Sequence, residues 1–195
     1  MKVDNHMNNI YTIPNLITMS RLVAIPLIIG LYSSDIYILR LLSFFIFLYA
    51  SLSDFIDGYL ARKLNQTSLL GKILDPIADK LLVILMFMLF LNSSFLNVTS
   101  LICIYIIAAR EIIIMTLREV MANYSISIDV TGLSKIKTSI QFISLIFLFV
   151  ASLQQTENSI ITQVTNWLIL LSAIVTVITL VLYIQSSVKK IKGGS

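Results

Sequence analysis

Six predominantly apolar runs succeed one another along this chain of 195 residues. Each is close to the ~20 residues a helix needs to cross a bilayer core of about 30 Å. They cover 16–32, 37–61, 72–92, 99–121, 136–153 and 163–186. Their separators are short and polar: Ser33-Ser34-Asp35, Asn65 to Ser68, Asn92 to Ser94, Asn123 to Ser134, and Gln154 to Ser159. A backbone in hydrocarbon must satisfy its own polar groups, as a helix or a closed barrel does. The runs are continuously apolar and lack the alternation of barrel strands. The expected fold is therefore all-α, a polytopic membrane protein of six transmembrane helices. It forms one membrane domain over 1–195, with residues 1–12 as a short interfacial lead-in. No small-residue cleavage site follows the first run, so the start does not read as a cleavable signal.

Composition agrees. Hydrophobic residues make up 57% of the chain and charged ones 12%, and mean hydropathy is +0.93. A soluble domain carries about a quarter charged residues, so a soluble enzyme, a disordered chain and a basic nucleic-acid arm are all excluded. The single cysteine, Cys103, rules out an internal disulfide or a cysteine metal cluster. His6-Met7 and Gly193-Gly194-Ser195 are assigned no role, and residues 123–133 carry little signal.

The basic residues give an orientation. With six spans, all but Arg40 of the 14 Lys and Arg residues fall on the side that holds both termini. By the positive-inside rule that side is cytoplasmic.

Four of the ten acidic residues crowd into one stretch: Asp54, Asp57, Asp75 and Asp79. Ionisable groups inside a span are costly and point to function. The first pair is spaced i, i+3 and the second i, i+4, so each shares one helix face. The other positions on those faces, Gly58, Ala61 and Gly71, are small. Glycine in a helix costs about 1 kcal/mol against alanine, and close approach of a helix or ligand is a reason to keep it. Four carboxylates together repel unless neutralised. Oxygen-only donors suit Mg²⁺, Mn²⁺ or Ca²⁺ rather than zinc, and paired divalent ions commonly serve phosphate chemistry. A proton or cation pathway, or pairing with Arg62, Lys72 and Lys80, stays open on charge alone.

Written out, the stretch reads Asp54-(x)2-Asp57-Gly58-(x)2-Ala61-Arg62-(x)8-Gly71-(x)3-Asp75-(x)3-Asp79. This resembles the signature of the CDP-alcohol phosphatidyltransferase family at every fixed position and in both spacers. The resemblance implies a six-helix membrane enzyme that moves a phosphatidyl group from a CDP-linked lipid to an alcohol and releases CMP. It implies two divalent cations, Mg²⁺ or Mn²⁺, held by Asp54, Asp57, Asp75 and Asp79, with Asp79 also the general base. The CDP moiety would lie against Asp54, Asp57, Gly58, Ala61, Arg62, Gly71 and Asp75. The sole histidine, His6, lies in the lead-in, so no Ser-His or Cys-His pair suggests a covalent intermediate. Direct transfer is expected.

Further residues concern the acceptor. Pro14-Asn15, Thr18, Arg21 and Pro26 resemble the amino-terminal signature of the bacterial phosphatidylglycerophosphate synthase branch. So do Arg110-Glu111-Ile112, Leu117-Arg118-Glu119 and Lys135-Ile136-Lys137-Thr138. One departure is Ser134, where the branch usually has glycine. The resemblance implies CDP-diacylglycerol and sn-glycerol 3-phosphate as substrates, with Thr18, Arg21, Arg110, Arg118, Lys135 and Lys137 around the acceptor phosphate. Taken singly, each cation also reads as a membrane-edge charge, and Arg110 with Glu111 as a structural pair. Within the family, inositol phosphate, phosphatidylglycerol or serine are rival acceptors, serine being disfavoured by so many cations. An acid-lined ion or proton transporter would spread its carboxylates along a path rather than cluster them at one depth. A bacterial inner membrane is the expected location and membrane lipids the surroundings. A homodimer stays open, since lipid and a second copy cover apolar helix faces equally well.

Overall fold

A computed structural model describes residues 13–64, 69–123, 132–154 and 159–193. The side chains of 13–14, 54–64, 69–70, 72–73, 123 and 192–193 lie outside that description, as does the lead-in before residue 13. Six helices and no strand occur among the described residues. They are α1 (Ile13–Tyr32), α2 (Tyr37–Leu64), α3 (Leu69–Leu89), α4 (Val98–Asn123), α5 (Gly132–Gln154) and α6 (Ile160–Gly193). The expected all-α fold of a polytopic membrane protein is thus the one observed. Four helices (α1, α4, α5 and α6) are long and apolar enough to span by length and composition alone, and α2 adds a shorter apolar stretch, Tyr37–Ser53. The aspartates interrupt the remaining apolar sequence in α2 and α3.

The chain divides into two compact units, Met1–Leu85 and Met86–Ser195. In the first, α1 packs on α2. Helix α1 buries Asn15, Thr18, Arg21, Ala24, Ile25 and Ile28, and α2 buries Ser43, Phe47, Ala50 and Ser53. Both sets recur at helical spacing. Small residues at such contacts let backbones approach where lipid offers no hydrophobic drive. Val23, Leu27, Ile38 and Tyr49 face outward, as lipid permits. The turn between these helices is held by Arg40. Arg40 donates to the Ser34 carbonyl at 2.8 Å, pairs with Asp35 at 3.0 Å and lies over the Tyr32 ring at 5.9 Å. Two helices carry internal prolines, Pro26 in α1 and Pro76 in α3. Each removes one backbone hydrogen bond from its helix, and Pro76 does so immediately after Asp75.

In the second unit α6 packs on both α4 and α5. Phe90 and Phe149 meet edge-to-face at 4.9 Å. The buried side of α6 is not the uniform apolar surface its hydropathy suggests: Thr162, Thr165, Ser172, Thr176, Thr179 and Ser187 recur along it. Near its start, Asn166 ties down the turn before α4. Its amide nitrogen donates to the carbonyls of Phe95 at 3.2 Å and Thr162 at 2.8 Å. Its oxygen accepts from the Ser100 hydroxyl and from the Asn97 amide at 3.3 Å. Asn166→Leu should cost about 1–3 kcal/mol, the penalty for stranding such groups. Thermal unfolding in detergent should show a lower midpoint, with acceptor and lipid kinetics unchanged.

Helix ends differ from expectation for physical reasons. Helix α5 starts at Gly132 rather than 136, since a run defined by apolarity leaves out Ser134 and Lys135. Helix α6 runs on to Gly193 past 186, its last turns carrying Lys189 and Lys190. Helix α3 ends at Leu89 rather than 92, where Phe90 and Leu91 bond back to Phe87 and Met88 in single turns.

Candidate active site

The acidic stretch begins in α2 and continues into α3. Asp54, Asp57, Gly58, Ala61 and Arg62 lie within α2, their side chains outside the described ones. Asp75 and Asp79 are one turn apart on α3 and half-buried, and Gly71 is buried one turn before Asp75.

Helix α1 touches both aspartate-bearing helices. Thr18 and Arg21, three residues apart, share a face. The Thr18 hydroxyl donates to Asp75 Oδ1 in a short hydrogen bond of 2.5 Å. Arg21 is only 1% exposed, and its Nε lies 3.4 Å from the Ser53 hydroxyl, directly before Asp54 in the chain. Ser53 in turn donates to the Ala50 carbonyl at 2.8 Å. Thr18, expected beside the acceptor phosphate, is thus found against the carboxylate array. On Asp79, Oδ2 accepts from the neighbouring Lys80 ammonium at 3.0 Å, both side chains being about one-fifth exposed.

The donor set fits hard divalent cations: the quartet offers oxygen alone, without nitrogen or sulfur. Among the described residues no three acidic, His or Cys side chains gather, and half the quartet lies outside that set. The Thr18 hydroxyl fixes the orientation of the Asp75 carboxylate.

A separate polar cluster occupies the second unit. Arg110 and Glu111 on α4, Lys137 and Gln141 on α5, and Thr176 and Thr179 on α6 are all at least nine-tenths buried. Three donors converge on one oxygen, Glu111 Oε1: Lys137 Nζ in a short contact, Gln141 Nε2 at 3.1 Å and Arg110 Nη1 at 3.3 Å. Arg110 Nη2 also donates to Thr179 Oγ1 at 3.0 Å, and Gln141 reaches Thr176 Oγ1 at 3.5 Å. A buried charge is tolerated only when paired and hydrogen-bonded, and here two cations share the one carboxylate.

The basic residues expected together are therefore sorted. Arg110 and Lys137 meet through Glu111. Arg118 is exposed on α4 with its guanidinium 5.8 Å from the Tyr183 ring centre. Lys135 is exposed as well, since two residues along a helix turn a side chain through about 200°. Gln141, Thr176, Thr179 and Ser53 were not anticipated. The recurring hydroxyls of α6 at helical spacing in an apolar run were the available signal for two of them.

Comparison with known proteins places this arrangement. The model of the family described as CDP-alcohol phosphatidyltransferase matches residues 11–182. A protein of Rickettsia bellii named CDP-diacylglycerol–glycerol-3-phosphate 3-phosphatidyltransferase is 38% identical over 180 residues, 92% of this chain and 93% of its own. Proteins of the same name from Rickettsia typhi and Wigglesworthia glossinidia brevipalpis are each 40% identical. They cover 72% and 68% of this chain, and 77% and 74% of their own. With the aspartate spacing intact and the similarity running through all six helices, the chain belongs to the CDP-alcohol phosphatidyltransferase family.

Proposed function

We propose that this enzyme transfers the phosphatidyl group of CDP-diacylglycerol to sn-glycerol 3-phosphate, giving phosphatidylglycerophosphate and CMP. The observation that carries the reading is the similarity, over nearly the full length of both chains, to the Rickettsia bellii enzyme of that name. It sits in a multi-pass arrangement in the bacterial inner membrane, and the bias of Lys and Arg puts both termini and the site on the cytoplasmic side.

In the reaction a hydroxyl oxygen of the acceptor attacks the lipid-side phosphorus of the pyrophosphate. A new P–O bond forms to glycerol phosphate, and the P–O bond to CMP breaks. Asp79 takes the hydroxyl proton. Asp54, Asp57, Asp75 and Asp79 are the residues that would hold two divalent cations, Mg²⁺ or Mn²⁺. When bound, these supply neutralisation of the pyrophosphate and of the charge growing on the leaving phosphate. Thr18 holds the Asp75 carboxylate in place from α1. Gly58, Ala61, Arg62 and Gly71 border the CDP moiety, the small residues allowing its close approach. Arg110 and Lys137, with Arg118 and Lys135, attract and seat the acceptor phosphate.

An acceptor panel tests this. Purified protein with CDP-diacylglycerol and Mg²⁺ should release CMP with glycerol 3-phosphate far faster than with serine, inositol phosphate or phosphatidylglycerol. Lys137→Ala should raise the KM for glycerol 3-phosphate by tenfold or more, on the scale of a lost charge-assisted contact. The KM for the nucleotide lipid should stay near normal. Preference for another alcohol would reassign the acceptor, and equal weakening of both substrates would move Lys137 to the pyrophosphate.

A further inference from the structure

Resting on that reading of the acceptor, we propose that Glu111 is a resident counter-anion and positioning residue that limits how tightly the site grips phosphate. It thereby lets the product leave. The geometry is that of a carboxylate already occupying the donors a phosphate would use. Lys137 Nζ, Arg110 Nη1 and Gln141 Nε2 all point at Glu111 Oε1. An arriving phosphate monoester must compete for the lysine and the arginine.

The chemistry of the transfer gives this competition a purpose. The bond made in the reaction is at a hydroxyl, so the phosphate monoester of the acceptor is carried unchanged into the product. Any grip on it acts equally before, during and after the chemical step. Uniform binding of this kind lowers KM without raising kcat, and it also retains the product. With Glu111 present, two cations and one anion leave the cluster at a net single positive charge. Without it, two positive charges would face a group carrying nearly two negative ones at pH 7.

Charge arithmetic then predicts opposite shifts from two buried positions. Glu111→Gln keeps the shape and removes the anion. The KM for glycerol 3-phosphate and the inhibition constant of inorganic phosphate should each fall roughly tenfold or more. The kcat should fall too, with a first-turnover burst of CMP ahead of a slow steady state. Gln141→Glu adds a second anion against the same cations, and both constants should rise by a similar factor without a burst. Glu111→Gln strands two buried cations. If it fails to accumulate in the membrane, Gln141→Glu decides alone. Constants moving in the same direction in both charge variants, or unmoved in Gln141→Glu, overturn the role of Glu111. A wild-type protein that does not use glycerol 3-phosphate overturns the functional reading, and this one with it.

Discussion

Asp79→Asn is expected to lower kcat by about 10²–10⁴-fold, the usual worth of a positioned general base. The side chain stands one turn beyond Asp75 and keeps about a fifth of its surface open, so a hydroxyl can reach it. Asparagine preserves shape and burial and cannot take a proton. The lipid substrate should still bind, because three carboxylates remain. Equilibrium binding of CDP-diacylglycerol, measured beside steady-state CMP release, separates the roles. Turnover within a few-fold of the wild type would remove Asp79 as base. Loss of nucleotide-lipid binding would make it chiefly a metal ligand.

The second large effect concerns the cations. EDTA should abolish CMP release, and Mg²⁺ or Mn²⁺ should restore it. Asp57→Asn should be inactive at ordinary metal concentrations and still insert, since asparagine is no harder to place in a membrane helix than aspartate. Titration with Mn²⁺, followed by its electron spin resonance signal, should show weaker uptake in this variant than in the wild type. Full activity of Asp57→Asn in excess chelator would sink the two-cation reading.

What could be read from the chain without its structure follows from where the information lies. The six helices were legible because each is written in local composition, even where aspartates interrupt the apolar runs of α2 and α3. The aspartate stretch was legible because its meaning is carried by spacing within two helices. The pairing of Arg110 with its neighbour Glu111 was one of the readings open; that Lys137 joins them was not, since it depends on how α4 and α5 come together, and no local pattern encodes that. Both cations were expected around a phosphate, and the helices bring them to Glu111. Lys135 and Lys137 are a different case. Their separation follows from helical geometry alone once the helix is known to start at Gly132, and an apolar window misses that start because it discounts lysines. Thr18 was assigned to the acceptor from its place in a motif, and only the packing of α1 put its hydroxyl on Asp75.

The hydroxyl-bearing face of α6 has a consequence for how the protein is made. Among the six helices α6 is the last in chain order, yet it supplies partners to groups synthesised long before it. Thr179 completes Arg110, Thr176 serves Gln141, and Asn166 holds Ser100 and the turn at Asn97. Until α6 emerges and enters the bilayer, α4 and α5 carry polar groups whose hydrocarbon exposure costs several kcal/mol apiece. Those helices must therefore wait in a sheltered or loosely docked state during synthesis. Arrival of the final helix closes the second unit, and a nascent chain halted before it would display its unmatched polar face to the machinery that removes unfinished membrane proteins.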